Sequence, residues 1–195
     1  MDAEQPRFLV MAGPNGAGKS ICASFFLPPS MPYINADEIA KTLATEQTRD
    51  AEIQAVRIAL QLMDQAEANR ESFATETTLA SKTLASRAAR LRSVSYFFHL
   101  VYLWTPSPDF SVHRVAKRVK LGGHDIPEDT IRRRWLAGSK NFFSLYRPIA
   151  DLWDVVDNAT SSTPRLIATG RLGEPDDIQD PVLWDDLCRR ANDAT

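Results

Sequence analysis

Residues 13–20 read GPNGAGKS, a glycine, four residues, then Gly-Lys-Ser. The spacing suits one kind of chemistry, the holding of phosphates. A nucleoside triphosphate carries several negative charges, and a concave turn of backbone N–H groups can cradle them. Gly13, Gly16 and Gly18 let the chain turn tightly and approach phosphate oxygens with no Cβ in the way. Lys19 supplies a mobile charge for the β- and γ-phosphates, and the Ser20 hydroxyl suits Mg²⁺. The helix that begins here adds its positive N-terminal dipole. The expected nucleotide-binding set is Gly13, Pro14, Asn15, Gly16, Ala17, Gly18, Lys19, Ser20 and Ile21, with Ser20 as the metal ligand.

Two carboxylates are candidates for work on a second substrate. Asp37 stands where a short strand gives way to a helix. There it is either an N-cap or a base that takes the proton of an attacking hydroxyl. Glu76 interrupts an otherwise strand-like stretch, and an unpaired buried carboxylate costs several kcal/mol. It therefore sits at an exposed strand end or in a site, and the site is preferred. Further on, Arg114 and Arg118 share a helical face, Gly122 and Gly123 offer a hinge, and Arg132, Arg133 and Arg134 follow on the next helix. Such arginines are either a solvated surface or part of a lid that closes over a γ-phosphate. His99 lies within an apolar run and reads as a hydrogen-bonded core histidine rather than a ligand. Asp157 and Asn158 either contact nucleotide or cap a turn.

These groups need a scaffold. Residues 8–12 are a continuous apolar run, as in a buried parallel strand, and residues 21–27 read as a helix stopped by Pro28 and Pro29. Further strands are predicted at 33–35, 72–79, 96–104, 151–158 and 166–170, with 96–104 central. Helices are predicted at 48–70, 81–93 and 181–191 and on either side of the glycine pair. In the helix over 48–70, Ile53, Val56, Ala59, Leu60 and Met63 form the packing face. In that over 81–93, Arg87, Arg90 and Arg92 form a solvated one. The fold class is α/β, three-layered, with a mostly parallel sheet of five to six strands. It forms one domain over residues 1–195 with a helical lid near 108–140.

Composition narrows the function. The chain of 195 residues is 44% hydrophobic and 25% charged with a net charge of -2, ordinary for a soluble protein and without the basic field of a general nucleic-acid binder. Cys22 and Cys188 lie far apart, which suggests a reducing compartment. The start, MDAEQPRF, shows no signal peptide, and no apolar run is long enough to span a bilayer. A cytoplasmic location with neither nucleic-acid nor membrane partners is expected.

Five pieces, in order, resemble zeta toxin-family P-loop kinases in a compact form: GPNGAGKS, NADEIA, FATETTLA, RVAKRVKLGGHDIPEDTIRRR and NFFSLYRPIADLWDVVDN. The resemblance covers roughly residues 8–158. It implies ATP- or GTP-dependent phosphorylation of a small-molecule hydroxyl, in the best-known members that of a UDP-N-acetyl sugar, and an antitoxin partner. By position, Asp37 would be the general base, Glu76 and Thr78 would hold the acceptor, and Arg114 would be the first lid arginine. His124 falls near the family's second catalytic arginine, whose replacement would be Arg118, Arg132 or Arg133. The alternatives are a kinase of another metabolite, such as a nucleoside or dinucleotide, and a non-catalytic nucleotide-binding switch.

Overall fold

A computed structural model describes residues 5–43, 49–159 and 163–193. The expected helix start at Thr48 and the first four residues of the N-terminal reading lie outside these. One seven-stranded sheet runs through the molecule in the order β2-β3-β1-β4-β5-β6-β7. Its first five members in sequence are parallel: β1 (Arg7–Ala12), β2 (Tyr33–Ile34), β3 (Phe73–Thr77), β4 (Phe97–Trp104) and β5 (Leu152–Asp157). Antiparallel β6 (Arg165–Arg171) and β7 (Asp177–Ile178) extend one edge. The seventh strand exceeds the five or six expected. It is an exposed Asp-Ile pair, too short to carry a hydrophobic pattern. The apolar run over β4 takes the middle of the sheet, where burial on both faces favours such a sequence.

The helices are α1 (Lys19–Phe26), α2 (Ala36–Leu43), α3 (Arg49–Ala68), α4 (Thr83–Ser93), α5 (Pro108–Lys120), α6 (Glu128–Asn141) and α7 (Pro181–Asp193). After α6 the chain widens into a π-helical turn at Phe142–Tyr146, which buries Phe142 and Tyr146. The larger core lies between the sheet and α3, α4, this π-helical turn and α7. Phe8 packs on Phe73 and Phe98 there at centroid distances of 4.9 and 5.6 Å. Each fully buried phenylalanine contributes about 1.5–3 kcal/mol. A smaller core holds α1 on the other face through Cys22 and Ala23. The α5–α6 hairpin has a core of its own, Val115, Ile126 and Ile131. Gly122, at φ +82°, ends α5 in the left-handed conformation that the Gly-Gly signal requires.

Two surface expectations are corrected. In α3 the buried face is Ala51, Ala55, Ala59, Met63 and Ala66, whereas Ile53, Val56 and Leu60 are 40–50% exposed. Small side chains let α3 lie close against α2, and the larger ones turn outward. The arginines of α4 are not a free solvated face. Arg87 is bound by Glu67 and by Asp64 at 2.7 Å, Arg90 by Glu67 at 2.7 Å, and Arg92 by Asp151 at 3.0 Å. They tie α4 to α3 and to the start of β5. His99 fits its reading, with Nε2 2.7 Å from Asp154 Oδ2. No described helix is long and apolar enough to cross a membrane.

Candidate active site

The Gly-rich loop joins β1 to α1 and is fastened on three sides. The Gly13 N–H donates to Thr77 O of β3 at 3.1 Å. A Cβ on Gly13 would stand 2.7 Å from Leu103 O of β4, and one on Gly16 2.9 Å from Ser111 O of α5. Behind β5, Asn158 Nδ2 donates to Ala17 O at 3.1 Å. Gly13, Gly16 and Gly18 all have positive φ, as a loop with inward N–H groups demands. Gly18 precedes α1 without a side-chain cap, so the first-turn N–H groups remain available to an anion. Ile21 lies in that turn with its side chain 75% exposed, so only its backbone faces the loop. Asn15 is buried, and its Oδ1 has no partner among the described residues.

Lys19 is folded back onto the loop, its Nζ donating to Gly13 O at 3.1 Å and Pro14 O at 3.3 Å. Burial lowers its pKa, as do the nearby charges of Arg118 and Arg134, while Glu76 and Asp37 oppose them. Four groups far apart in sequence thus act on one ammonium. Glu76 is half-buried at the end of β3, level with Met11 in the neighbouring strand. Its Oε2 accepts from Ser20 Oγ at 2.9 Å and from Tyr33 OH at 2.5 Å. Asp37 lies exposed in the first turn of α2. It is not the N-cap. Asn35 Oδ1 accepts from the N–H groups of Asp37 and Glu38 at 2.8 and 3.4 Å, which leaves the Asp37 carboxylate clear of capping. Thr78 is half-buried where the chain leaves β3, its carbonyl against Gly138 of α6.

The arginines divide. Arg114 lies beside Gly16, stacks on Phe110 at 5.2 Å and donates to Asn158 O at 3.3 Å. Arg118 donates to His124 O at 2.7 Å, and its Nε is buried without a partner among the described residues. Arg132 is held elsewhere, by Asp109 at 2.5 Å and Glu128 at 2.7 Å, with 42% of its side chain exposed. Residues two apart on a helix point to opposite sides, so Arg134 rather than Arg132 bears on Lys19. His124 turns towards α3, with Nδ1 3.5 Å from Glu52 Oε1. Asp157 caps its own turn, accepting from Ala159 N at 2.8 Å, and pairs with Arg165. Sequence reasoning passed over Tyr33 and named Arg134 among the lid arginines without singling it out. Tyr33 reads as an ordinary strand aromatic, and Arg134 is one of three consecutive arginines that only helical phase can separate.

Among the described residues no cluster of three or more His, Cys, Asp or Glu could hold a metal ion. Hard oxygen donors at Ser20 and Glu76 do fit Mg²⁺ brought with phosphates, which keeps most of its ligands as water and phosphate oxygen.

The family model for zeta toxin matches residues 1–160. The chain belongs to the zeta toxin family. An uncharacterized protein of Haemophilus influenzae is 30% identical over 131 residues, 67% of this chain and 94% of its own length. A chain of the AvrRxo1-ORF1:-ORF2 complex determined with ATP superposes with a TM-score of 0.76 at 14% identity, over 95% of this chain. The present chain spans only 64% of that one. A chain of the PezAT chromosomal toxin–antitoxin system of Streptococcus pneumoniae gives a TM-score of 0.57 at 16% identity, covering 100% of this chain and 89% of its own. The scaffold is that of the zeta toxin family. Within it, β6, β7 and α7 lie beyond the zeta toxin match and complete the sheet edge and the larger core.

Proposed function

We propose that this zeta toxin-family protein transfers the γ-phosphoryl group of ATP or GTP to a hydroxyl of a UDP-N-acetyl sugar or a similar metabolite. The observation that carries the reading is the hydrogen bond of 2.9 Å that joins Ser20 of the phosphate loop to Glu76 at the end of β3, beside an Asp37 carboxylate that Asn35 leaves free of capping. A phosphate cradle alone would serve a switch. A cradle facing an uncapped carboxylate and lid arginines serves transfer.

The nucleotide lies along the loop from Gly13 to Ser20, with Lys19 turned from its own carbonyls onto the β- and γ-phosphates. Ser20 would hold Mg²⁺, which would supply neutralisation of phosphate charge when bound. Glu76 and Thr78 hold the acceptor, with His124 near its far side. Asp37 accepts the proton of the acceptor hydroxyl as that oxygen bonds to γ-phosphorus. The bond from γ-phosphorus to the bridging oxygen breaks, and the nucleoside diphosphate leaves. Arg114, Arg118 and Arg134 offset the charge that develops as α5 and α6 close as a lid. An antitoxin would act by keeping this cleft from its substrates, a proposal supported by family membership and by the toxin–antitoxin origin of one structural relative.

The test is nucleotide consumption with mass spectrometry of products over UDP-sugars, nucleosides and dinucleotides. UDP-N-acetylglucosamine should gain one phosphoryl group. Asp37→Ala should reduce turnover about 10²–10⁴-fold with nucleotide affinity little changed. Full turnover in that variant would overturn the role of Asp37. Transfer only to a nucleoside or dinucleotide would move the acceptor to that class, and no transfer to any hydroxyl would leave a nucleotide-binding switch.

A further inference from the structure

Tyr33 has no part in the scheme above, yet its phenol reaches the phosphate corner. It opens β2 on the face that carries α1, where its ring packs against the smaller core, as do Phe26 and Met31. Its hydroxyl donates to Glu76 Oε2 at 2.5 Å, and Ser20 Oγ donates to the same oxygen at 2.9 Å. Burial first, and the Glu76 charge second, raise the phenol's pKa, so it remains a donor throughout the neutral range.

A serine hydroxyl has one hydrogen and two lone pairs. With its hydrogen on Glu76, Ser20 Oγ must turn its lone pairs elsewhere, and where they point depends on where that carboxylate stands. A glutamate side chain has three torsions and, at the end of a strand, considerable freedom. A second donor mounted on a packed ring removes that freedom. Tyr33 and Ser20 come from different elements and meet on one oxygen atom, an arrangement that fixes both the carboxylate and the hydroxyl.

We propose that Tyr33 is a positioning residue of the metal corner: it pins Glu76 so that the Ser20 hydroxyl keeps a lone pair turned towards the divalent cation that accompanies the nucleotide. This rests on the reading of Ser20 as a cation ligand. The residue acts two contacts away from the cation, through Glu76 and Ser20.

Mn²⁺ affinity of the full chain in the presence of ADP, followed by electron paramagnetic resonance, tests it. Tyr33→Phe removes only the hydroxyl and keeps the packed ring. It should weaken Mn²⁺ binding about tenfold, the low end for loss of an outer-shell partner. Calorimetric affinity for ADP in EDTA should stay as in the wild type, and so should the Tm. Glu76→Gln should weaken Mn²⁺ at least as much. Wild-type Mn²⁺ affinity in Tyr33→Phe overturns the proposal. Equal loss of ADP affinity with and without Mn²⁺, or a fall in Tm of several degrees, makes Tyr33 a packing residue and also overturns it. Ser20→Ala separates the two readings: if that variant binds Mn²⁺ as the wild type does, the cation reading itself fails.

Discussion

The ammonium of Lys19 is satisfied by two carbonyl oxygens of its own loop and is buried there. Burial lowers its pKa in the free protein. A bound triphosphate sets negative charge against it and raises the pKa again. Between the lower free value and the higher bound one, the complex holds one more proton than the free protein. Nucleotide binding should therefore take up a proton below the ordinary lysine range and tighten as pH falls through that window. Calorimetry in buffers of different ionisation enthalpy should read the uptake in the wild type and find none in Lys19→Met. Stability runs in the same sense: a lysine with a depressed folded-state pKa disfavours folding wherever the unfolded chain would carry the charge. Lys19→Met should therefore raise the Tm of the nucleotide-free protein while removing activity.

At the scale of elements, the α5–α6 hairpin decides which arginines can act. Arg118 presents an unpartnered buried Nε and a charge felt by Lys19, whereas Arg132 is tied to Asp109 and Glu128 on the solvent side. Arg118→Ala should lower kcat about 10²–10³-fold, the range for loss of one group that stabilises transition-state charge. Arg132→Ala should change kcat by less than about threefold, because exposed ion pairs are worth at most ~1 kcal/mol. Steady-state kinetics of the pair checks both statements. Equal losses would mean that the hairpin turns Arg132 inward on closing. The neighbouring elements were legible to different depths. The strand, loop and helix around residues 8–26 could be read directly, since glycine spacing and apolar runs are local signals. The inward face of α3 could not, because its alanines carry little hydrophobic signal beside Ile53, Val56 and Leu60.

Over the whole molecule, the last helix reaches back to the base of that hairpin. Arg190 of α7 donates to Thr105 O at 2.6 Å and Pro106 O at 2.7 Å, and lies over the rings of Trp104 and Trp135 at 5.1 and 4.6 Å. Thr105 Oγ1 in turn accepts from Trp135 Nε1 of α6 at 2.9 Å and meets Ser111 Oγ of α5 at 3.4 Å. Ser111 O stands against Gly16 of the phosphate loop. One residue outside the family-matched segment thus supports α5 where it leaves β4 and, through Thr105, the middle of α6. Arg190→Ala should destabilise the protein by roughly 2–3 kcal/mol, from two charge-assisted hydrogen bonds, the ion pair with Asp186 and two ring contacts, and lower the Tm by about 5–10 °C. A thermal melt decides it. An unchanged Tm would mean that α7 packs through Trp184 and Leu187 alone.

The phosphate loop, the α/β class, the central strand and the candidates Asp37 and Glu76 were all determined by the sequence itself. Each rests on residue types within a few positions of one another, or on a polar group where burial would penalise it. Only the tertiary structure decided that Tyr33 and Ser20 share one oxygen of Glu76, and that Arg134 rather than Arg132 bears on Lys19. Those outcomes depend on strand order, on helical phase and on contacts such as that between Ser20 and Glu76, 56 positions apart. Local propensity carries none of that information, because such contacts exist only once the sheet has brought β2, β3 and β1 side by side.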